Sequence, residues 1–370
     1  MIASPPPSGH SFGVAPASSS QTQLCPADAF PTPTMRYILV ALIFLSVLIM
    51  TACPYAAPCN RYRTVNTVSP RPLAMGGAFI SVRGRLSALS WNPAAFILSD
   101  KELTHRLRIH INPIITTALL YDEHRDMGDI LAALGTAVKA ITYSHRWAEL
   151  GLLLWEEPLS DPLTAPNGRL FRSDRILEHH WHTLGLRIRL APTVSLGCSG
   201  NLYKIQDGDG HSTLAGGANY GVLLRPVRRI EVGLAYFDFP AGLEDVRLDL
   251  EGLEDESVNG SLSIHPDAST IVALGLRDAA EGDKIGWDKF HFGFERTFQD
   301  LLAVRFGYFQ SRRGQNDVYS FGLAVRSGRR GGSGRSILGL KDLEANYALL
   351  LEEGQIIQER WHLLSLLFTI

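Results

Sequence analysis

Glu359–Ile370 reads ERWHLLSLLFTI. Counting back in twos from its last residue gives Ile370, Phe368, Leu366 and Leu364, all apolar, so four large side chains share one face of a strand. A strand of this kind can close a sheet, and the runs upstream decide what sort of sheet it closes. Leu184, Leu186, Ile188 and Leu190 alternate with Gly185, Arg187 and Arg189. Ile230, Val232, Leu234 and Tyr236 alternate with Glu231, Gly233 and Ala235, and Phe290, Phe292 and Phe294 with His291, Gly293 and Glu295. Leu302, Val304, Phe306 and Tyr308 alternate with Ala303, Arg305 and Gly307; Tyr319, Phe321, Leu323 and Val325 alternate with Ser320, Gly322, Ala324 and Arg326.

Alternation by itself fits a soluble sandwich as well as a membrane barrel, since each has one apolar face per strand. The other face discriminates. A water-facing sheet favours Thr, Lys, Glu and other long or β-branched side chains. Here that face is repeatedly Gly, Ala, Ser and Arg, which suits the crowded interior of a closed barrel. Trp155, Tyr203, Tyr236, Tyr308, Tyr319 and Trp361, near strand ends, fit interfacial girdles. The runs number roughly fourteen, an even count as single-chain bacterial barrels require. The expectation is therefore an all-β, transmembrane, antiparallel β-barrel over residues 104–370. Polar stretches rich in Gly, Asp or Pro separate its strands, among them Gln206–Gly210, Glu251–Asn259 and the basic Ser327–Arg335, read as a solvated loop. One exception to the period of two is Asp126–Ala140, where Ile130, Leu131, Leu134 and Val138 recur at helical spacing and predict a short helix.

The composition agrees. The chain has 370 residues, 45% hydrophobic and 19% charged, with a formal net charge of −2, which argues against a nucleic-acid partner held by bulk charge. Of four cysteines, Cys25, Cys53 and Cys59 precede the barrel and leave Cys198 without an obvious partner, so no structural disulfide is expected there.

The amino-terminal part reads as an address. Residues 1–34 are rich in Pro, Ser, Thr and Ala and too poor in large apolar side chains to offset the entropy of ordering, which predicts disorder or a start at Met35. Arg36 and the apolar run Ile38–Ala52 then form a signal-peptide core over residues 35–57, shorter than the ~20 residues of a spanning helix; a short anchor is the alternative. Met50-Thr51-Ala52-Cys53 approximates a lipoprotein processing site with Met50 in place of the usual Leu, making Cys53 a candidate for lipid attachment. A cut after Ala57 is the other choice, with Pro58 against it.

Residues 58–103 carry two further patterns. Met75-Gly76-Gly77-Ala78-Phe79 allows close backbone contact, since Gly76 and Gly77 have no Cβ. In Trp91-Asn92-Pro93-Ala94, Asn92 reads as the cap of a short helix opened by Pro93. With Arg71 and Ala88-Leu89-Ser90, these motifs resemble the amino-terminal pattern of the FadL-like long-chain fatty acid transporters and their PorV/PorQ relatives. Two departures stand out: Arg83-Gly84-Arg85 where that family has an acidic pair, and Ala95 where it has Gly. The resemblance implies an outer-membrane barrel with Ser69–Phe96 as a hatch inside it. It further implies passage of hydrophobic molecules, or, on the PorV side, a role as shuttle or assembly partner in protein secretion. A structural surface barrel is the remaining reading. In either case, Glu359–Ile370 is the segment a barrel assembly machine is expected to read.

Chemistry is sparse. In Glu178-His179-His180-Trp181-His182 alternation places His180 and His182 together and His179 opposite, so no metal set is expected. Ser195, Ser199 and Ser320 lack a nucleophile setting, and Gly216-Gly217 lacks a following helix, so neither an enzyme nor a cofactor is expected. What remains is the lumen, to which alternation assigns Arg187, Arg189, His291, Glu295, Arg305 and Arg326. Such charges either pair across the wall or hold a carboxylate-bearing ligand.

Overall fold

The computed structural model describes residues 60–62, 69–98, 105–113, 116, 127–156, 180–206, 212–238, 257–277, 290–311, 316–326, 342–353 and 358–370. The expected export segment, Cys53 and the basic loop Ser327–Arg335 lie outside them. Fifteen strands form one sheet: β1 (Asn60–Tyr62), β2 (His105–Ile111), β3 (Val138–His145), β4 (Ala148–Glu156), β5 (His180–Ala191), β6 (Val194–Gln206), β7 (Ser212–Val227), β8 (Ile230–Asp238), β9 (Ser257–Ile264), β10 (Thr270–Leu276), β11 (Phe290–Phe298), β12 (Leu302–Ser311), β13 (Asn316–Arg326), β14 (Asp342–Glu353) and β15 (Gln358–Thr369). From β2 to β15 each strand is antiparallel to the next, and β15 pairs back onto β2 to close a barrel of fourteen strands.

The chain's last residues make that closure. Phe368 pairs with Ile111 and Thr369 with His110, while the Ile370 N–H donates to the Ile109 carbonyl at 3.0 Å. Towards its start, β15 is flanked on the same edge by β1, parallel, with Arg61 opposite Trp361. Leu363, Ser365, Leu367 and Thr369 point inward and are buried; Leu364, Leu366, Phe368 and Ile370 point out.

The same parity runs round the wall. Many outward leucines are exposed, as at Leu107 (64%), Leu184 (53%), Leu234 (50%) and Leu323 (50%). Leaving such a side chain in water forgoes roughly 1.5–3 kcal/mol relative to burial, so an all-round apolar exterior belongs in lipid. Cys198 is on this outward face. Inward positions are mostly small, polar or charged, with Arg305 1% exposed, Glu295 3% and Glu231 0%, and an apolar minority includes Phe309, Val318, Leu350 and Leu363. The barrel therefore spans a membrane with its strands.

Its two ends differ. Connections 146–147, 192–193, 228–229, 265–269 and 299–301, with the longer 327–341, join strands at one end, where β2 starts and β15 stops; 112–137, 157–179, 239–256 and 277–289, with the shorter 207–211, 312–315 and 354–357, join them at the other. Short turns predominate at the first rim and longer connections at the second, as in outer-membrane-type barrels.

The structure moves some expected boundaries. A helix, Met127–Thr136, forms as the spacing predicts but stops short of Val138. Val138 pairs instead with Ile111, and Ala140 with His110 and Leu153, so the sheet ladder takes the end of the apolar run. Likewise β9 takes Ser257–Asn259 and β6 takes Gln206 from stretches expected to be loops.

Candidate functional site: the occupied lumen

Fourteen strands enclose a bore wider than wall side chains alone can fill. Residues 69–98 occupy it. This inner segment opens with a helical turn, α1 (Arg71–Ala74), after which Gly76 (φ +58°) and Gly77 (φ +71°) adopt left-handed backbone that only glycine takes without strain. The turn lays the backbone of Met75 and Gly76 directly on the wall. A Cβ on wall Gly307 would lie 2.0 Å from the Gly76 nitrogen. Across the barrel, a Cβ on Gly197 would lie 2.2 Å from the Ala94 nitrogen, and one on Gly233 2.3 Å from the Ile80 carbonyl. The inward glycines are thus the seat of the inner segment.

Side chains complete the seating. Asn92 caps the 3₁₀ turn Pro93–Ala95 by accepting from the Ala94 N–H at 2.9 Å, and its own amide donates to the Ile80 carbonyl at 2.7 Å and to the Val222 carbonyl at 3.3 Å. Phe79 meets Trp91 edge-on with centroids 6.4 Å apart. From the wall, Ser320 accepts from the Gly76 N–H at 3.1 Å, His291 Nδ1 lies 2.6 Å from the Gly76 carbonyl, and Arg277 donates to the Gly77 carbonyl at 3.1 Å while stacking on Trp91.

Four wall carboxylates, Glu295, Glu344, Glu149 and Glu231, organise these charges. Glu295 receives both nitrogens of an Arg71 fork at 2.7 Å each, and Arg305 Nε at 2.6 Å. Arg305 continues to Asn346 (3.0 Å), which reaches Glu344 (3.1 Å), itself paired with Arg326 (3.3 Å). Glu149 accepts from Arg187 and from the Leu98 N–H (2.9 Å), while Arg187 also donates to the Ala94 carbonyl at 3.0 Å. Glu231 lies 2.5 Å from Arg83 Nε, 3.2 Å from His265 and 3.7 Å from Arg225.

Of the residues singled out from sequence, Arg187, His291, Glu295 and Arg305 are buried against the inner segment or its ion network, Arg326 is half-buried at the edge of that network, and Arg189 sits at the short-turn rim, donating to the Arg146 carbonyl at 2.6 Å. Glu149, Arg277, Glu344 and Asn346 went unnoticed in the sequence. Strand parity would have placed each of them inward, but not its partner.

On the long-loop side the contacts turn apolar. Leu73 and Ala74 pack with Phe309, Val318, Ala348, Leu350 and Leu363 of β12–β15, and Trp91 lies against them. His291 stacks on Phe309 with centroids 5.1 Å apart, so a polar ring borders this patch. Elsewhere, His180 and His182 do fall on one side, their rings 5.0 Å apart beside Trp155, whose left-handed backbone (φ +57°) sends its N–H to His182.

No family model matches the chain, and no curated protein does. Among solved structures, the monoaromatic hydrocarbon channel CymD aligns over 82% of this chain and 97% of its own, at 10% identity and a TM-score of 0.48. A mutant of the Rh. blastica porin aligns over 62% of this chain and 76% of its own, at 10% identity and a TM-score of 0.32. Likenesses of this order say nothing of a passenger; the barrel rests on its own strand pairings.

Proposed function

We propose that this protein is a bacterial outer-membrane channel for hydrophobic molecules such as long-chain fatty acids, with residues 69–98 as its hatch. The observation that carries the reading is the apolar wall patch of Phe309, Val318, Leu350 and Leu363 on the long-loop side of the lumen, covered in this structure by Leu73 and Ala74 of the inner segment. A water-filled porin keeps polar groups on its inner face, whereas an apolar inner face favours an apolar passenger. Arg277 and His291 border the patch through Trp91 and Phe309 and suit the carboxylate of a fatty acid. Since the hatch is seated backbone-to-backbone on the wall, passage requires it to shift or the wall to part.

The test is a lipid extract of the purified protein, analysed by mass spectrometry, with labelled fatty acid bound in detergent. Leu350→Asp is expected to weaken binding by about tenfold, the equivalent of ~1.4 kcal/mol. An empty extract, no measurable binding and co-purification of a protein-secretion machine would overturn the channel reading in favour of a shuttle. Deleting Leu364–Ile370, which removes the closing pairs and the segment offered to the assembly machinery, is expected to abolish recovery of a heat-modifiable barrel from the outer membrane.

A further inference from the structure

A cavity of ≈ 360 Å³ lies between the inner segment and the wall at the short-turn end, a location separate from the apolar patch. Arg83 and Ile97 face it from the inner segment; the rims of the β3–β4, β5–β6 and β7–β8 hairpins supply its sides. Five arginines line it, Arg83, Arg146, Arg187, Arg189 and Arg225, against two glutamates, Glu149 and Glu231, an excess of three positive charges.

Both glutamates are already engaged. Glu149 holds Arg187 and the Leu98 N–H. Glu231, itself 0% exposed, is shared among Arg83, His265 and Arg225, and the 3.7 Å to Arg225 exceeds a hydrogen bond. Arg189 and Arg146 have no carboxylate partner among the described residues, and the Arg189 guanidinium contacts only a carbonyl there, that of Arg146. Several guanidinium forks converging on a polar space of this size are the arrangement that recognises a tetrahedral oxyanion. A singly charged carboxylate would leave most of the excess uncompensated, whereas a phosphate near −2 offsets the larger part of it.

We propose that this cavity binds a phosphate group, presented either by a small soluble phosphate or by a phospholipid headgroup at the membrane rim. One cation, Arg83, comes from the inner segment, and the others come from the wall, so a bound phosphate ties the two together. Whatever binds the folded form stabilises it by mass action, and here the stabilised element is the inner segment. The inference does not depend on what passes through the barrel.

The experiment uses the full-length protein in detergent at constant ionic strength. Calorimetric titration and thermal unfolding are measured with inorganic phosphate, with glycerol phosphate and with short-chain phosphatidic acid, chloride serving as the reference. Saturable binding with a raised Tm is expected, weakened about tenfold by Arg189→Gln and by Arg225→Gln and unchanged by Arg296→Gln, which alters an exposed arginine beyond the cavity. Retained heat-modifiability establishes that each variant is folded. Binding of the soluble anions assigns a free phosphate, and binding of phosphatidic acid alone assigns a lipid headgroup. Absence of saturable binding by all three probes, or binding that neither Arg189→Gln nor Arg225→Gln weakens, overturns the proposal.

Discussion

Glu295 and Glu231 do the same task on two parts of the wall, and they do it in different surroundings. Each is an inward carboxylate that takes an arginine from the inner segment, Arg71 in one case and Arg83 in the other. Around Glu295 the partners are dry, with Arg71 and Arg305 side chains 10% and 0% exposed. Around Glu231 they are wetter, at 28% for Arg83, 32% for Arg225 and 18% for His265. In a dry network each lost partner strands a buried charge, which fixes the segment; in a wet one water can replace a partner, which leaves room for a ligand. The contrast separates an anchor from a candidate site on chemistry that looks alike in sequence.

Both parts share a backbone-tight glycine, so the largest effect is expected from filling one. Gly307→Val places carbon against the Gly76 backbone, where no side chain can move aside, and the cost should exceed the 1–3 kcal/mol typical of overpacking, at roughly 3 kcal/mol or more. Hydrogen exchange over residues 69–98 should rise while the barrel stays heat-modifiable. Gly200→Ala, on a strand with open space around it, should change stability by less than about 0.5 kcal/mol. Protection of the inner segment in Gly307→Val would show that the seat is not where the contacts put it.

Next in size is the dry network. Glu295→Ala leaves Arg71 and Arg305 facing each other without the carboxylate that compensates their charge, and breaking a buried pair in this way costs roughly 3–5 kcal/mol. Exchange should increase first at Arg71–Met75, with little response to salt because the site is screened from it. Glu231→Gln makes the complementary test: its partners reach water, so the loss should be about 1 kcal/mol or less and should shrink further with added salt. The same change removes a negative charge from the cavity and should tighten phosphate binding. Equal losses for the two substitutions would erase the distinction between anchor and site.

Much of this was legible in the sequence, and the limit has a physical origin. A side-chain period of two is local, so Leu302–Tyr308 and Tyr319–Val325 announced their outward faces, and Arg305 and Glu295 their inward ones, without knowledge of any neighbour. The cap at Asn92 is local too, and it forms as read. Which charges meet is a matter of register and of the path of residues 69–98, and neither is local: Arg83 reaches Glu231, and Arg71 reaches Glu295, between positions far apart in the sequence. The small inward residues were readable as a crowded interior, but not as a seat shaped for the backbone around Gly76 and Ile80. The spacing of Ile130, Leu131, Leu134 and Val138 predicts a helix through Val138 because a short apolar run satisfies either period, and only pairing with Ile111 decides between them.

A third carboxylate extends the comparison into full solvent and should give the smallest effect. Asp267, in the turn between β9 and β10, accepts from the Ser269 N–H and hydroxyl at 2.7 Å each and from Thr270 at 3.0 Å. The hydrogen bonds from Ser269 hold its carboxyl down at about 2, against an ordinary 3.8. Because the folded pKa lies below the unfolded one, the ionised turn contributes its stability at every pH above 3.8, and that contribution is lost as pH falls towards 2. Asp267→Ala should therefore lower the Tm slightly and by a constant amount from pH 7 to pH 4, and the gap from the parent should close on acidification to about pH 2. Exposed as it is, the pair with Arg296 at 3.8 Å should add little, so Arg296→Gln should leave that pH profile in place. A gap that instead opened on acidification would mean the turn prefers the protonated acid, against the three donors that surround it.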